Sequence, residues 1–336
     1  MKAIVYERSG GSDVLSLTDR PVPEPGPGEV RVKVAFSGVN PTDWKSRTNA
    51  RPGAAAPQVP NQDGSGVVDA VGAGVDAARV GERVWIWEAA WQRADGTAQE
   101  YVVLPARQAV ALPERASLEL GASLGIPAMT AHRALTLAEG GPARLVPGAL
   151  AGRTVLVAGG AGAVGNAAIQ LARWAGATVL TTVSGPEKGR LAAAAGAHQV
   201  VDYRAQDAAS VIRALAPEGV DLVVEVAPTA NVELDLAVLA PNGTVAFYAD
   251  GSGPEVTVPV RDSMVRNLRW LGILVYTVPD AAKLAAVAAI GDAVAADALR
   301  GGEQAGLPWH RYPLTRTADA HDAVQGGAVG KVLIEL

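Results

Sequence analysis

The sequence predicts a mixed architecture, α/β plus β, with a doubly wound parallel sheet set into a β-rich unit. Three observations lead there. Residues up to about 112 read as short strands separated by Gly- and Pro-rich turns. From residue 154 onward, apolar strands alternate with Ala-rich helical segments, the pattern of a parallel sheet with crossover helices. Between them stands Val155-Leu156-Val157-Ala158-Gly159-Gly160-Ala161-Gly162-Ala163-Val164-Gly165, which reads as a strand, a tight turn and a helix start.

Composition narrows the function classes. At 336 residues the chain has room for two domains, and 49% hydrophobic with 19% charged residues is a globular balance rather than a disordered one. The net charge of −5 offers no broad attraction to nucleic acid or anionic lipid. The absence of cysteine removes disulfides, thiolate zinc sites and cysteine nucleophiles. His132, His198, His310 and His321 lack ligand spacing, so no metal site is expected. The N-terminus has no apolar core of signal-peptide length, and no run reaches the ~18 apolar residues of a membrane span. A soluble cytoplasmic protein, with neither nucleic-acid nor membrane partners, is the expectation.

In chain order, residues 2–6 form a short apolar strand, and the Pro-rich stretch 21–28 is connection. Residues 29–36 alternate, with Val30, Val32 and Val34 on one face and Arg31 and Lys33 on the other, as in a half-buried strand. Strands follow at 64–71, 83–87 and 99–104. Residues 118–138 have helical spacing, interrupted at Gly125 and Pro127. The α/β part then predicts strands at 154–158, 178–183, 200–202, 222–226 and 244–248. Helices are expected at 164–175, 188–195, 210–216 and 232–239. Residues 268–275 read as a strand at the sheet edge, 281–299 as a long helix, and 331–334 as a last strand that completes the first unit.

Gly159, Gly162 and Gly165 form Gly-x-x-Gly-x-x-Gly, a variant of the dinucleotide turn. The backbone of Ala161, Ala163 and Val164 and the helix start then approach a pyrophosphate. An NAD-selective site carries Asp or Glu about 20 residues further on, to hold the ribose hydroxyls. Here the second strand ends at Ser184, followed by Lys188 and Arg190, a hydroxyl and cations suited to a 2′-phosphate, where the bland alternative for the cations is a solvated helix face. The sequence therefore predicts NADPH. No P-loop Gly-x-x-x-x-Gly-Lys-Ser/Thr is present, and no Gly-x-Ser-x-Gly elbow carries a triad.

At this point a family resemblance covers nearly the whole chain. It runs through 14–15, Pro25-Gly26-Pro27-Gly28-Glu29-Val30 and Ser37-Gly38-Val39-Asn40-Pro41-Thr42-Asp43-Trp44-Lys45. It continues through Pro60-Asn61-Gln62-Asp63-Gly64-Ser65-Gly66, 80–84, 96–101, 125–131, the glycine turn and Gly330-Lys331-Val332-Leu333. The chain resembles the zinc-free quinone oxidoreductases (zeta-crystallin-like) of the medium-chain dehydrogenase/reductase superfamily. The resemblance implies a GroES-like catalytic domain, 1–124 with 300–336, and an inserted Rossmann domain, 125–299, with the active site in the cleft between them. It also implies a homodimer, through the edge strand at 268–275. Zinc-dependent members of the superfamily place a cysteine near Gly38-Val39-Asn40 and His-Glu at Gln62-Asp63; this chain has neither. Many quinone reductases carry a tyrosine where Trp44 and Lys45 stand, and Asn-Pro-x-Asp-Trp-Lys is similar to the branch that reduces α,β-unsaturated ketones and aldehydes.

Site roles follow from the resemblance. Asn40 faces nicotinamide and substrate, where its amide can hydrogen-bond a carbonyl; it is also a turn former before proline. Asp43 orients Lys45 or a water, or caps the next helix. Lys45 touches the cofactor ribose, stabilises an enolate, or is a surface lysine. Thr130 approaches the nicotinamide, or is an ordinary helix threonine. Tyr203 lies near the 2′-phosphate, or is a half-buried strand-end aromatic; Tyr248 stands at the carboxyl edge of the sheet, and Gly330 and Lys331 reach toward the cofactor. Trp85, Trp87 and Trp91 line a pocket or fill the core. The expected reaction is metal-independent, NADPH-dependent hydride transfer to a quinone or an α,β-unsaturated carbonyl. The alternatives are an NADPH-binding protein without turnover and an enoyl-thioester reductase.

Overall fold

The computed structural model describes residues 1–49 and 57–336, in two compact units, 1–126 with 309–336 and 127–308. The first unit begins with the pair β1 (Lys2–Val5) and β2 (Ser16–Asp19). Then come β3 (Glu29–Val39), α1 (Pro41–Thr48), β4 (Asp63–Val71), β5 (Arg83–Ile86), β6 (Tyr101–Pro105) and β7 (Ala109–Ala111). Helix α2 (Leu118–Thr136) follows, and the boundary between the units falls within it. Alternation puts Val30, Val32 and Val34 of β3 into one core with Val84, Ile86, Val102 and Leu104. Trp85 and Trp87 are buried, so they are core residues.

Helix α2 differs from its sequence pattern: it runs unbroken through Gly125 and Pro127. Proline has no N–H, so Ser123 loses its helical donor there. The N–H just before it, that of Ile126, donates to Asp63 Oδ1 at 2.8 Å. A side chain from β4 thus takes part in the backbone bonding at the point where the ladder is weakest.

The second unit contains β8 (Thr154–Ala158), α3 (Ala163–Trp174), β9 (Thr178–Val183), α4 (Pro186–Ala194), β10 (Gln199–Asp202) and α5 (Ala208–Leu215). It continues with β11 (Val220–Glu225), α6 (Pro228–Val238), β12 (Leu239–Phe247), α7 (Val260–Arg266), β13 (Arg269–Gly272) and α8 (Asp280–Ala295). Its six strands run in the order β10-β9-β8-β11-β12-β13, all parallel. Counted from β8 this is 3-2-1-4-5-6, the Rossmann order, with the switch point between β8 and β11. β13 is the edge strand, as its sequence predicts. Helix α8 stops four residues short of the expected 299, because the chain turns at Asp297 with φ 55°. Residues 300–308 cluster with this unit: Gln170 brackets the Arg300 backbone at 3.0 Å in each direction, and Asn166 Nδ2 donates to the Ala305 carbonyl at 2.8 Å.

The tail returns to the first unit as β14 (Trp309–Pro313), α9 (Thr317–Gln325) and β15 (Lys331–Glu335). β15 pairs antiparallel with β3, completing a GroES-like sheet. Among the described residues, no helix is long and apolar enough to cross a membrane.

Candidate functional site

In the first unit, three strand ends converge. β3 runs antiparallel to both β4 and β15, so the end of β3 lies beside the starts of the other two. Register places Asp63 opposite Gly38 and Val332 opposite Val39. Asn40 follows β3 in an extended conformation, and Pro41, with its preset φ, starts α1. The Asn40 N–H donates to Asp43 Oδ2 at 2.7 Å while the Asp43 N–H returns to the Asn40 carbonyl at 3.0 Å, which fixes the turn.

The side chains then meet. Asn40 Nδ2 donates to Asp63 Oδ2 at 2.6 Å. Lys331 Nζ donates to Asn40 Oδ1 at 2.7 Å and to Asp63 Oδ2 at 3.1 Å. All four residues, Asn40, Asp43, Asp63 and Lys331, are buried. Gly125 makes room for the hub, because a Cβ there would stand 2.1 Å from Asp63 Oδ1. Burial, with the neighbouring Asp63 charge, pushes the Asp43 carboxyl up to about 8, against the pull of the Asn40 N–H and of Lys331.

A second chain of bonds holds Asp63 from behind. Thr97 Oγ1 donates to the Asp63 carbonyl at 2.6 Å and is itself 2.7 Å from Ser37 Oγ. Asn61 Nδ2 donates to Ser37 at 2.9 Å, and His321 Nε2 lies 3.0 Å from Asn61 Oδ1. Since that oxygen only accepts, His321 carries its proton on Nε2. Burial, reinforced by Arg47, pushes its pKa down to about 3, so the ring is neutral.

The second unit carries the glycine turn. Gly159, at φ 69°, and Gly160 donate to the Thr182 carbonyl at 3.0 and 3.3 Å, tying the turn to β9. A Cβ on Gly165 would lie 2.4 Å from the Gly159 carbonyl oxygen, so the helix reaches this close to the turn only without a side chain. Gly162 is the N-cap of α3 and offers no side-chain cap. The first-turn N–H groups, those of Ala163 and Val164 included, precede any intrahelical partner and, with Ala161 in the turn, suit an anion.

The ends of β9 and β10 gather a polar group. Lys188 Nζ donates to Ser184 Oγ at 2.9 Å. The Tyr203 N–H bonds the Val183 carbonyl at 3.1 Å, and its side chain is half exposed. Arg190 is engaged by Glu187 at 2.9 Å and Glu303 at 2.8 Å, so Lys188 is the cation beside Ser184. Tyr248 follows β12 and bonds Glu225 through the backbone at 3.1 Å; burial, with the Glu225 charge, raises its phenol pKa, which keeps it a donor. Glu225 and Asp235 are both buried, and burial raises both carboxyls, so the pair holds a proton.

The structure therefore brings Asn40, Asp43 and Lys331 together, and separately Ser184, Lys188 and Tyr203. Lys45 is half-buried on α1 beyond Asp43, and Thr130 is buried on α2 beyond Pro127. Gly330, at φ 106°, leads into β15 and so sets Lys331 at its start. Sequence reasoning missed Asp63, the hub of the first group, and Glu225. Asp63 lay inside the motif at 60–66, but nothing local set it apart from Asp69 on the same strand.

Comparisons with known proteins follow the same division. A family model described as the alcohol dehydrogenase GroES-like domain matches residues 26–114, and one described as a zinc-binding dehydrogenase matches 163–289. Human quinone oxidoreductase is 31% identical over 348 residues, covering 100% of this chain and 98% of that protein. A solved NAD-dependent alcohol dehydrogenase is similar with a TM-score of 0.86 at 30% identity, over 100% of both chains. A mycobacterial protein solved with NADPH is similar with a TM-score of 0.82 at 30% identity, again over 100% of both.

Proposed function

The chain belongs to the quinone oxidoreductase family of the medium-chain dehydrogenase/reductase superfamily, and we propose on that premise that it uses NADPH to reduce a quinone or an α,β-unsaturated carbonyl compound. The observation that carries the cofactor choice is the Lys188–Ser184 pair at the end of β9, where an NAD-selective site has a carboxylate. A 2′-phosphate is an anion that this ammonium and hydroxyl bind and that a carboxylate repels. Ser184, Lys188 and Tyr203 hold that phosphate, while Gly159, Ala161, Gly162, Ala163, Val164 and Gly165 hold the pyrophosphate. The mycobacterial relative solved with NADPH supports the same choice of cofactor. When bound, the cofactor supplies a hydride.

The chain's own contribution is positioning and electrostatics. Asn40 spends one Nδ2 proton on Asp63 and retains the other for a substrate carbonyl oxygen, where charge develops as the acceptor is reduced. Solvent delivers the proton to the resulting enolate or hydroquinone anion. Zinc does not fit: at the ligand positions stand Asn40, Gln62 and Asp63, and the Lys331 ammonium sits 2.7 and 3.1 Å from the two oxygens a cation would need. The exposed Val260, Met264, Val265 and Leu274 flank β13 in sequence and support a homodimer formed at that edge.

The deciding experiment mixes the protein and NADPH with a panel of quinones and enones and follows the near-ultraviolet absorbance of the reduced nicotinamide. Turnover with members of either class supports the reading. NADPH binding without oxidation across the panel would replace it with a binding protein.

A further inference from the structure

We propose that Asp63 and Lys331 are positioning residues that dictate which way the Asn40 carboxamide points. The proposal rests on the reading of Asn40 given above. The three side chains close a triangle: Asn40 Nδ2 to Asp63 Oδ2 at 2.6 Å, Lys331 Nζ to Asn40 Oδ1 at 2.7 Å, and Lys331 Nζ to Asp63 Oδ2 at 3.1 Å. A carboxylate only accepts and an ammonium only donates. A carboxamide rotated by half a turn would set its NH2 against the ammonium and its oxygen against the carboxylate, replacing two hydrogen bonds by two repulsions. Only one orientation survives.

Among the described residues that orientation leaves one Asn40 N–H uncommitted, and the Lys331 ammonium at Asn40 Oδ1 polarises the amide and strengthens this donor. The triangle is itself braced. Asp63 Oδ1 accepts the Ile126 N–H at 2.8 Å, and the Asp63 carbonyl accepts Thr97 Oγ1 at 2.6 Å. Asp63 and Lys331 are 0% and 1% exposed at the side chain. A buried pair of this kind adds little stability over apolar packing, so orientation of the amide is the effect that justifies it. The family resemblance implies a cofactor contact for Lys331; here its ammonium is engaged by Asn40 and Asp63.

A double-mutant cycle tests the proposal in the full chain, with NADPH and a quinone or enone that the wild type reduces. Asn40→Ala, Asp63→Asn and Lys331→Met are each expected to lower kcat by roughly 100-fold, the scale of losing one preorganised donor, with the KM for NADPH within about threefold. Asp63→Asn added to Asn40→Ala should cost almost nothing further, because both remove the same interaction. Losses that multiply to roughly 10,000-fold in the double variant would overturn the proposal, as a general structural role predicts. So would an Asp63→Asn variant with wild-type kcat.

A second readout is independent of turnover, and its wild-type arm needs no variant to fold. With asparagine selectively labelled with nitrogen-15, one Asn40 side-chain proton in the wild type should resonate downfield and resist solvent exchange. In Asp63→Asn that signal should collapse while the other asparagine signals stay in place. Rapid exchange of both Asn40 protons in the folded wild type would overturn the proposal. If the wild type reduces nothing in the panel while the protected proton is present, the orientation is supported and the functional reading alone fails.

Discussion

Lys188 and Arg190 stand on the same helix, yet only one remains available to a ligand. Arg190 is held by Glu187 and Glu303, whereas among the described residues Lys188 bonds a serine hydroxyl. Lys188→Ala should therefore weaken NADPH binding by about 10-fold or more, the worth of a charge-assisted bond, and change NADH binding by less than about twofold. Calorimetric titration checks this, and equal losses for both nucleotides would reject the phosphate role. Asp43 gives a prediction in pH. Its carboxyl is raised from 3.8 to about 8, so it binds its proton more tightly when folded. Its contribution to stability is full below the unfolded value and is lost as pH rises to about 8, with a slope of about 1.4 kcal/mol per pH unit. Asp43→Asn has no such titration. Its melting temperature relative to wild type should shift upward between pH ~5 and ~8, and parallel profiles would show that Asp43 ionises normally.

At the scale of the element, the β8–α3 turn works through what is absent from it. Gly165→Ala places a methyl group 2.4 Å from the Gly159 carbonyl, and backbone on both sides must move. The expected cost is about 1–3 kcal/mol in urea unfolding, accompanied by weaker binding of NADPH and NADH alike. That equal loss separates the pyrophosphate cradle from the Lys188 contact. A variant as stable as wild type with unchanged affinity would show that the close approach is not needed. Helix α2 shows the reverse case, in which a local rule is overridden. Gly125 and Pro127 both disfavour helix, yet the helix runs through both, and the Ile126 N–H between them donates to the Asp63 carboxylate. No pattern within residues 118–138 could have announced a partner on β4.

At the scale of the whole molecule, both units draw on segments distant in the chain. The tail supplies β15 to the first unit, and residues 300–308 stay with the second through Asn166 and Gln170. The proposed dimer belongs here. Val265 is 69% exposed on α7, next to the β13 edge in sequence. Val265→Glu should halve the mass seen by light scattering, from twice 34.3 kDa to 34.3 kDa, and leave the circular dichroism unchanged. A wild-type monomer at micromolar concentration would remove the dimer from the proposal.

What the chain determined by itself is short-range. Period-two valines predicted β3, repeating β-α units predicted the parallel sheet, and glycine spacing predicted the turn after β8. Lys188 in the first turn of α4 is four residues past Ser184, and Asn40 and Asp43 are three residues apart, so short spacing brought each pair within reach. Only the tertiary structure decided the partners of Asn40. Asp63 is 23 residues away and Lys331 is 291, and Asp63 and Lys331 are separated by 268. Those three meet because β4 and β15 flank β3, each antiparallel to it, in one sheet, and strand pairing is a non-local choice made by the core. A buried polar group must find its partner among whatever side chains that packing delivers, which is why the hub of the site, Asp63, was invisible in one dimension.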